Sequence, residues 1–395
     1  MLVDFQALVI IGAVAVLAPL VVDLPPRLRL PVVVAELGFG IVIGPDVLDL
    51  VEVDDLIDFL SQLGLAFLFF LAGLEIDLGR IRGRPLKLAS YGWLLSIALA
   101  FGLAGILHVT GYVISELYVG VALSTTALGV LMPILRDLGE LESRFGTFTV
   151  AAGALGEFGP ILAIALLLSG DSFGVSAILL VVFTLAALLA AFLALRFRPP
   201  RLVSVLQRTM HSSAQLPVRL SILILLALVY LASREGLDIL LGAFAAGIIV
   251  GLVTKSEDAE PLRIKLEGIG FGFFIPIFFV VSGIEFDLAA LLDNPSSFLR
   301  VPLFLLLFLV VRGLPALLLY RRDLSRSERL PLALLSSTAL PLVVAITTIA
   351  VEAGEMRPEN AAALVGAGMI SVFVYPLVAL TLRRRAGAER PARPG

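Results

Sequence analysis

The sequence predicts an all-α polytopic membrane protein of about 13 transmembrane helices, an inverted six-plus-six repeat with two discontinuous crossing helices. Three observations carry that expectation. Hydrophobic residues make up 59% of the 395 and charged ones 15%, against about 25% charged in a soluble domain. Of the 29 Lys and Arg, 25 fall in or beside alternate loops between apolar runs, the asymmetry that orients spans in a membrane. Finally, short motifs recur about 210 residues apart, in segments that cross the membrane in opposite senses.

Apolar runs bounded by Gly, Pro and charge place the spans at roughly 5–22, 30–45, 56–74, 87–107, 113–135, 146–168, 174–195, 217–232, 237–253, 266–283, 298–320, 330–351 and 361–382. The run from Phe5 to Val22 follows Asp4 rather than a basic stretch, so it reads as a retained span and not a signal peptide. The spans use nearly the whole chain, which leaves one membrane domain over 1–382 and a short tail over 383–395. With the basic loops on the cytoplasmic side of the inner membrane, the N-terminus faces out and Arg383-Arg384-Arg385 face in.

The repeat is explicit in three places. Ser124-Thr125-Thr126-Ala127-Leu128-Gly129 returns as Ser336-Ser337-Thr338-Ala339-Leu340-Pro341. Gly73-Leu74-Glu75-Ile76-Asp77-Leu78 returns as Gly283-Ile284-Glu285-Phe286-Asp287-Leu288, and Gly40-Ile41-Val42-Ile43-Gly44 as Gly247-Ile248-Ile249-Val250-Gly251. Each pair lies seven spans apart, and an odd separation inverts the second copy. Inverted repeats with interrupted helices near the midplane are a signature of secondary transporters.

Chemistry concentrates at Glu157, a lone carboxylate in the middle of the sixth span, in Gly153-Ala154-Leu155-Gly156-Glu157-Phe158-Gly159-Pro160. An ionised group at that depth costs roughly 2.5–3.5 kcal/mol on insertion scales and marks a functional site. Pro160 frees the carbonyl of Gly156, and Pro341 that of Ser337. With the hydroxyls of Ser124, Thr125, Thr126, Ser337 and Thr338, these carbonyls make a set of hard oxygens suited to a small monovalent cation. A carboxylate among them can hold the cation when ionised or be neutralised by a proton. Arg312, midway along the eleventh span, is the expected counter-charge and natural partner of Glu157; being permanently protonated, it compensates charge rather than carrying a proton. Glu36, early in the second span, either lines an ion path or reaches interfacial water. The pairs Glu75/Asp77 and Glu285/Asp287 read as solvated span ends, with cation-attracting funnel charges as the sharper reading.

With these residues in hand, the chain resembles the monovalent cation/proton antiporters of the sodium/hydrogen exchanger superfamily, in particular the bacterial thirteen-span branch. The resemblance rests on Glu36-Leu37 leading to Gly44-Pro45, on Phe69-Phe70-Leu71-Ala72-Gly73-Leu74-Glu75, on Ser124-Thr125-Thr126-Ala127, on Gly242-Ala243-Phe244-Ala245-Ala246-Gly247 and on Phe274-Ile275-Pro276-Ile277-Phe278-Phe279. It implies that Glu157 is the ion-binding carboxylate and Arg312 the basic residue of the eleventh span. Where the family carries Asn or Asp before that carboxylate, this sequence has Gly156. The resemblance further implies a homodimer built through spans 1–3 and 8–10, with spans 4–6 and 11–13 as a core that moves as an elevator. Relatives often append a cytoplasmic regulatory domain; here such regulation would come from a separate subunit.

With one carboxylate and a permanently charged Arg312, the simplest cycle exchanges one proton for one cation without net charge movement. The expected activity is therefore electroneutral exchange of Na+ or K+ for H+. A proton-uncoupled channel or uniporter and a transport-inactive sensor subunit are the alternatives on this scaffold. No cysteine is present and only two histidines, so thiolate and His-based metal centres are not expected, and the transported cation is the only metal anticipated. No HExxH or GxSxG motif points to an enzyme. No cofactor and no nucleic acid are expected.

Overall fold

The computed structural model describes residues 5–23, 32–75, 82–137, 139–167, 208–210, 212–234, 239–253, 260–292 and 299–388. Their regular structure is helical throughout: α1 (Phe5–Asp23), α2 (Val32–Ile43), α3 (Asp55–Glu75), α4 (Arg84–Val109), α5 (Glu116–Leu123), α6 (Leu128–Asp137), α7 (Arg144–Leu167), α8 (Leu216–Arg234) and α9 (Ile239–Val253). The second half continues with α10 (Glu260–Ile269), α11 (Ile275–Ile284), α12 (Leu288–Leu292), α13 (Arg300–Phe308), α14 (Leu314–Leu319), α15 (Arg326–Ser336), α16 (Pro341–Glu352) and α17 (Pro358–Ala388). Nine helical segments among the described residues are long and apolar enough to cross a membrane, and three shorter apolar ones accompany them. These account for twelve of the thirteen expected spans; the seventh, 174–195, lies outside the described residues. The chain is thus a multi-pass helical membrane protein.

Several helices overrun the apolar runs that predicted them, because hydrophobicity marks only the hydrocarbon slab while the helix continues into water. α15 begins at Arg326 rather than near 330. There the Glu328 carboxylate accepts from both the N–H (2.9 Å) and the hydroxyl (2.7 Å) of Ser325, which pairs the backbone N–H of the N-cap residue. α4 starts at Arg84 after Gly83, whose φ of 78° is open to glycine, with Pro85 supplying a preset φ in the first turn.

The chain divides into two compact units. One comprises 1–18, 36–77 and 161–285. Lipid tails are as apolar as leucine, so helices in it must hold each other by close packing. The repeated glycines supply that. A Cβ on Gly40 of α2 would meet Val280 and Gly283 of α11, and one on Gly247 of α9 would meet Phe70 and Leu74 of α3. Gly283 and Gly73 face those glycines in return. The inverted motifs therefore encode two related backbone-to-backbone crossings, α2 on α11 and α9 on α3. Glu285 and Asp287 are exposed, as solvated span ends are.

The other unit comprises 19–35, 78–160 and 286–395. α4 turns one stripe of small residues inward, Ala89, Gly92, Ser96, Ala100 and Ala104. An aromatic and aliphatic cluster of Leu131, Phe145, Phe148, Tyr320, Leu332 and neighbours joins α6, α7, α14 and α15. At one end, Arg84 grips Asp323 with two hydrogen bonds (2.5 and 2.8 Å), and Arg144 adds a third at 3.4 Å. The Arg84 hydrogen bond holds the Asp323 carboxyl below the usual carboxylate range. A depressed carboxylate stabilises above its unfolded value, about 3.9, and that contribution is lost as pH falls further. Asp323→Asn is therefore expected to lower the melting temperature in detergent at neutral pH, with the gap to wild type closing below about pH 4. The two arginines are 61% and 66% exposed, so solvent screening keeps the effect small.

Candidate functional site

Both predicted interruptions are present. Ser124–Ala127 is non-helical between α5 and α6, and Ser337–Leu340 between α15 and α16. The two breaks bond to each other: Ala127 N–H donates to Thr338 O at 2.7 Å, and the Thr126 hydroxyl to Ser336 O at 2.5 Å. Neighbouring spans complete the pairing of the broken backbone. Thr126 N–H donates to Gly156 O on α7 (2.9 Å), and Ala339 N–H to the Ser371 hydroxyl on α17 (3.0 Å). Gly368 of α17 packs on Ala339 as Gly156 packs on Thr126. These glycines stand 368 − 156 = 212 residues apart, the offset of the Ser124 and Ser336 motifs, so the repeat extends into the sixth and last spans.

The hydroxyls divide their work. Ser124 and Thr125 donate to Val121 O and Ala122 O (both 2.8 Å), and Ser337 and Thr338 to Ala333 O and Leu334 O (2.7 and 3.4 Å). Each thus satisfies a carbonyl at the end of the half-helix before it. All four are buried. Their protons are turned back on their own helices, while oxygen lone pairs remain. The Gly156 carbonyl, predicted to be freed by Pro160, is instead taken by Thr126 N–H.

Glu157 is buried, 6% exposed, and its Oε2 accepts from the Leu128 N–H at 3.2 Å. Leu128 is the first residue of α6, so the carboxylate meets the positive end of a half-helix. Arg312, 4% exposed, sits in a widened π-helical turn over Leu309–Gly313. Pro315, which has no N–H to give to the carbonyl four residues back, follows that turn. The guanidinium donates through Nε to Thr126 Oγ1 (2.8 Å) and Ser336 O (3.4 Å), through Nη1 to Ser96 Oγ (3.1 Å) and through Nη2 to Ala152 O (3.1 Å). Ser336 ends α15, so the positive group meets the negative end of the other half-helix.

Arg312 was expected to pair with Glu157, but the carboxylate is not among its hydrogen-bond acceptors in the described residues. Helix geometry gives the reason: residues 156 and 157 point about 100° apart around α7. The face at Gly156 receives Arg312 and Thr126, while Glu157 turns toward α6. A Cβ at 156 would fall on Arg312 Nη2 and lie 2.5 Å from Thr126 Oγ1. The guanidinium therefore occupies the space a side chain there would need, which accounts for glycine in place of a polar residue. Ser96, Ala152 and Ser336 were not anticipated. Glu36 lies in the other unit, on α2, 5% exposed, one turn before Gly40.

Two interrupted helices cross back to back, with a carboxylate at one half-helix terminus and a guanidinium at the other, in an inverted-repeat helical membrane fold. The chain belongs to the sodium/hydrogen exchanger family, whose transmembrane domain matches residues 12–382. YjbQ of Bacillus subtilis (strain 168) is 28% identical over 400 residues, 96% of this chain, which spans 63% of the length of that relative. The "Na(+)/H(+)-K(+) antiporter GerN" of Bacillus cereus is 28% identical over 302 residues, 72% of this chain and 73% of GerN. The solved structure of the sodium proton antiporter MjNhaP1 from Methanocaldococcus jannaschii at pH 8 matches with a TM-score of 0.69 over 97% of each chain; at 17% identity the likeness is one of fold.

Proposed function

We propose that the chain is a secondary active antiporter that exchanges a monovalent cation, Na+ or K+, for H+ by alternating access, with Glu157 as the shared binding group. The observation that carries this reading is a single buried carboxylate held by Leu128 N–H at the crossing of two broken helices. A bare carboxylate at that depth is costly, whereas one neutralised by a proton or by a cation is not. Only the loaded forms cross readily, and that restriction is what couples the two ions. Oxygens of Thr125, Thr126, Ser124, Ser337 and Thr338, with the second lone pair of the Gly156 carbonyl, complete the cation's shell. Arg312 stays charged throughout and lowers the cost of the carboxylate.

The names of the relatives support both cations, GerN carrying Na+ and K+ in its own. Spans 4–6 and 11–13 form the proposed core that moves, and spans 1–3 and 8–10 the proposed scaffold and homodimer surface; the grouping of 78–160 with 286–395 in one compact unit supports the first of these. The charge asymmetry supports an inner-membrane protein with its N-terminus outside and its C-terminus in the cytoplasm; a role for Glu36 in lining the ion path is part of the proposal.

One carboxylate and one fixed positive charge make the cycle electroneutral. In proteoliposomes carrying a pH-sensitive dye, Na+ or K+ added outside is expected to collapse a proton gradient at a rate that an imposed membrane potential leaves unchanged. A rate that follows the potential overturns electroneutrality, and cation flux without proton movement overturns exchange itself.

A further inference from the structure

Beyond the Glu157 site, α4, α7, α14, α15 and the Arg312 segment line a small, partly open cavity whose walls include Gly92, Trp93, Ser96, Ala152, Arg312 and Ser336. Glu157, Gly156 and Thr126 are not among its lining residues. Its volume, about 10 Å3, is near the minimum for a single water molecule. Two of its lining residues carry a fully buried polar atom, Trp93 Nε1 and Ser336 Oγ, with no hydrogen-bond partner among the described residues. Ser336 is 2% exposed. Such orphaned groups cost about 1–3 kcal/mol each unless something pairs them. Arg312 adds further donors, since its bonds to Thr126, Ser96 and Ala152 engage three of the five N–H groups of a guanidinium and leave two.

We propose that this cavity binds one ordered water, which accepts from Trp93 Nε1–H and from an Arg312 N–H and donates to Ser336 Oγ. Three hydrogen bonds is the usual complement of a buried water. The volume decides against a small anion such as chloride, which needs more room than one water. Through this water Trp93 and Ser336 become positioning residues for Arg312. Trp93 is already anchored, because its indole fills the notch at Gly159, one turn along α7 from Gly156. α7 thus presents two consecutive notches, one filled by Arg312 and the next by Trp93, and the water ties the two fillers to the end of α15. This role rests on the proposed function of Arg312 as fixed counter-charge; the water itself does not.

Trp93 is the only tryptophan in the chain, so intrinsic fluorescence reads this site without transport. In purified full-length protein, Ser336→Ala is expected to shift the emission to shorter wavelength as the indole N–H loses its bridged partner, and Ser336→Thr, which keeps the hydroxyl, to restore the wild-type spectrum. Unchanged emission in a folded Ser336→Ala protein overturns the proposal, as does a Ser336→Thr spectrum like that of Ser336→Ala. Should Ser336→Ala not fold, density in a high-resolution structure of the wild type decides: a peak within about 3.2 Å of both Trp93 Nε1 and Ser336 Oγ is expected. Absence of that peak, or direct contact between the two side chains, overturns the water. An Arg312 variant that keeps full exchange would sink the counter-charge role while leaving these measurements intact.

Discussion

Glu157→Gln is expected to reduce proton-coupled cation flux to the background of protein-free liposomes while the protein still folds. The amide oxygen of the replacement side chain can accept the same hydrogen bond from Leu128 N–H that Oε2 accepts at 3.2 Å. The side-chain volume is also unchanged, so the packing between α6 and α7 persists. What disappears is the negative charge and, with it, any proton to exchange. A neutral amide at that point is permanently in the uncharged state, so neither ion drives the cycle. The measurement is dye dequenching on titration with Na+, K+ and Li+, alongside a melting curve in detergent. Residual exchange with intact proton coupling would move the binding group elsewhere in the chain.

The second large effect is expected at Gly156, where a single methyl group should matter more than its size suggests. An added Cβ lies 2.5 Å from Thr126 Oγ1, 2.7 Å from Thr126 Cβ and against Arg312 Nη2. Thr126 cannot yield, because its N–H is bonded to Gly156 O (2.9 Å) and its hydroxyl to Ser336 O (2.5 Å). Gly156→Ala therefore either expels the guanidinium or separates α7 from the broken helix. Overpacking of this kind costs about 1–3 kcal/mol, and the loss of register at Glu157 is expected to remove most of the exchange. Gly153→Ala, one turn away, is the control. Its Cβ meets the Leu128 Cδ1 atom at 2.9 Å, the far end of a side chain that can turn aside. Melting temperature and exchange rate should fall sharply for the first variant and little for the second; equal effects would show that the guanidinium does not depend on the Gly156 notch.

The two substitutions separate two kinds of contribution. On the proposed reading Glu157 is the shared binding group, so its loss is expected to abolish exchange without unfolding. Gly156 supplies only space, but the space is filled by groups already committed to other partners. Arg312 links α4, α7, the first break and the end of α15 through one planar group, a geometry a flexible ammonium cannot match. Its burial is tolerated because each of those bonds is charge-assisted and one runs to a half-helix C-terminus.

Much of the architecture was legible in the amino-acid sequence because its signals are local and one-dimensional. A span is a run of apolar residues long enough for the slab. A break is a Ser/Thr-rich stretch ended by Pro341, or its copy at Ser124–Gly129. Glu157 and Arg312 stand out because a charge in such a run is expensive, and the inverted repeat follows from the parity of the spans between copies. Each of these needs only neighbours in the chain; twelve of the thirteen spans, both breaks and both buried charges are present in the described residues.

What only the tertiary structure decided is which group faces which. Ser96 lies 216 residues from Arg312 and Thr126 lies 186 from it, and a serine in an apolar helix carries no one-dimensional mark. The pairing expected between Arg312 and Glu157 was inferred from equal depth; depth is set by position along a span, but contact also requires azimuth. One residue's step around α7 turns Glu157 toward the start of α6 and leaves Gly156 to receive the guanidinium. Hydrogen bonds are short and directional, so that step, which no hydropathy pattern records, determines the partners of both charges.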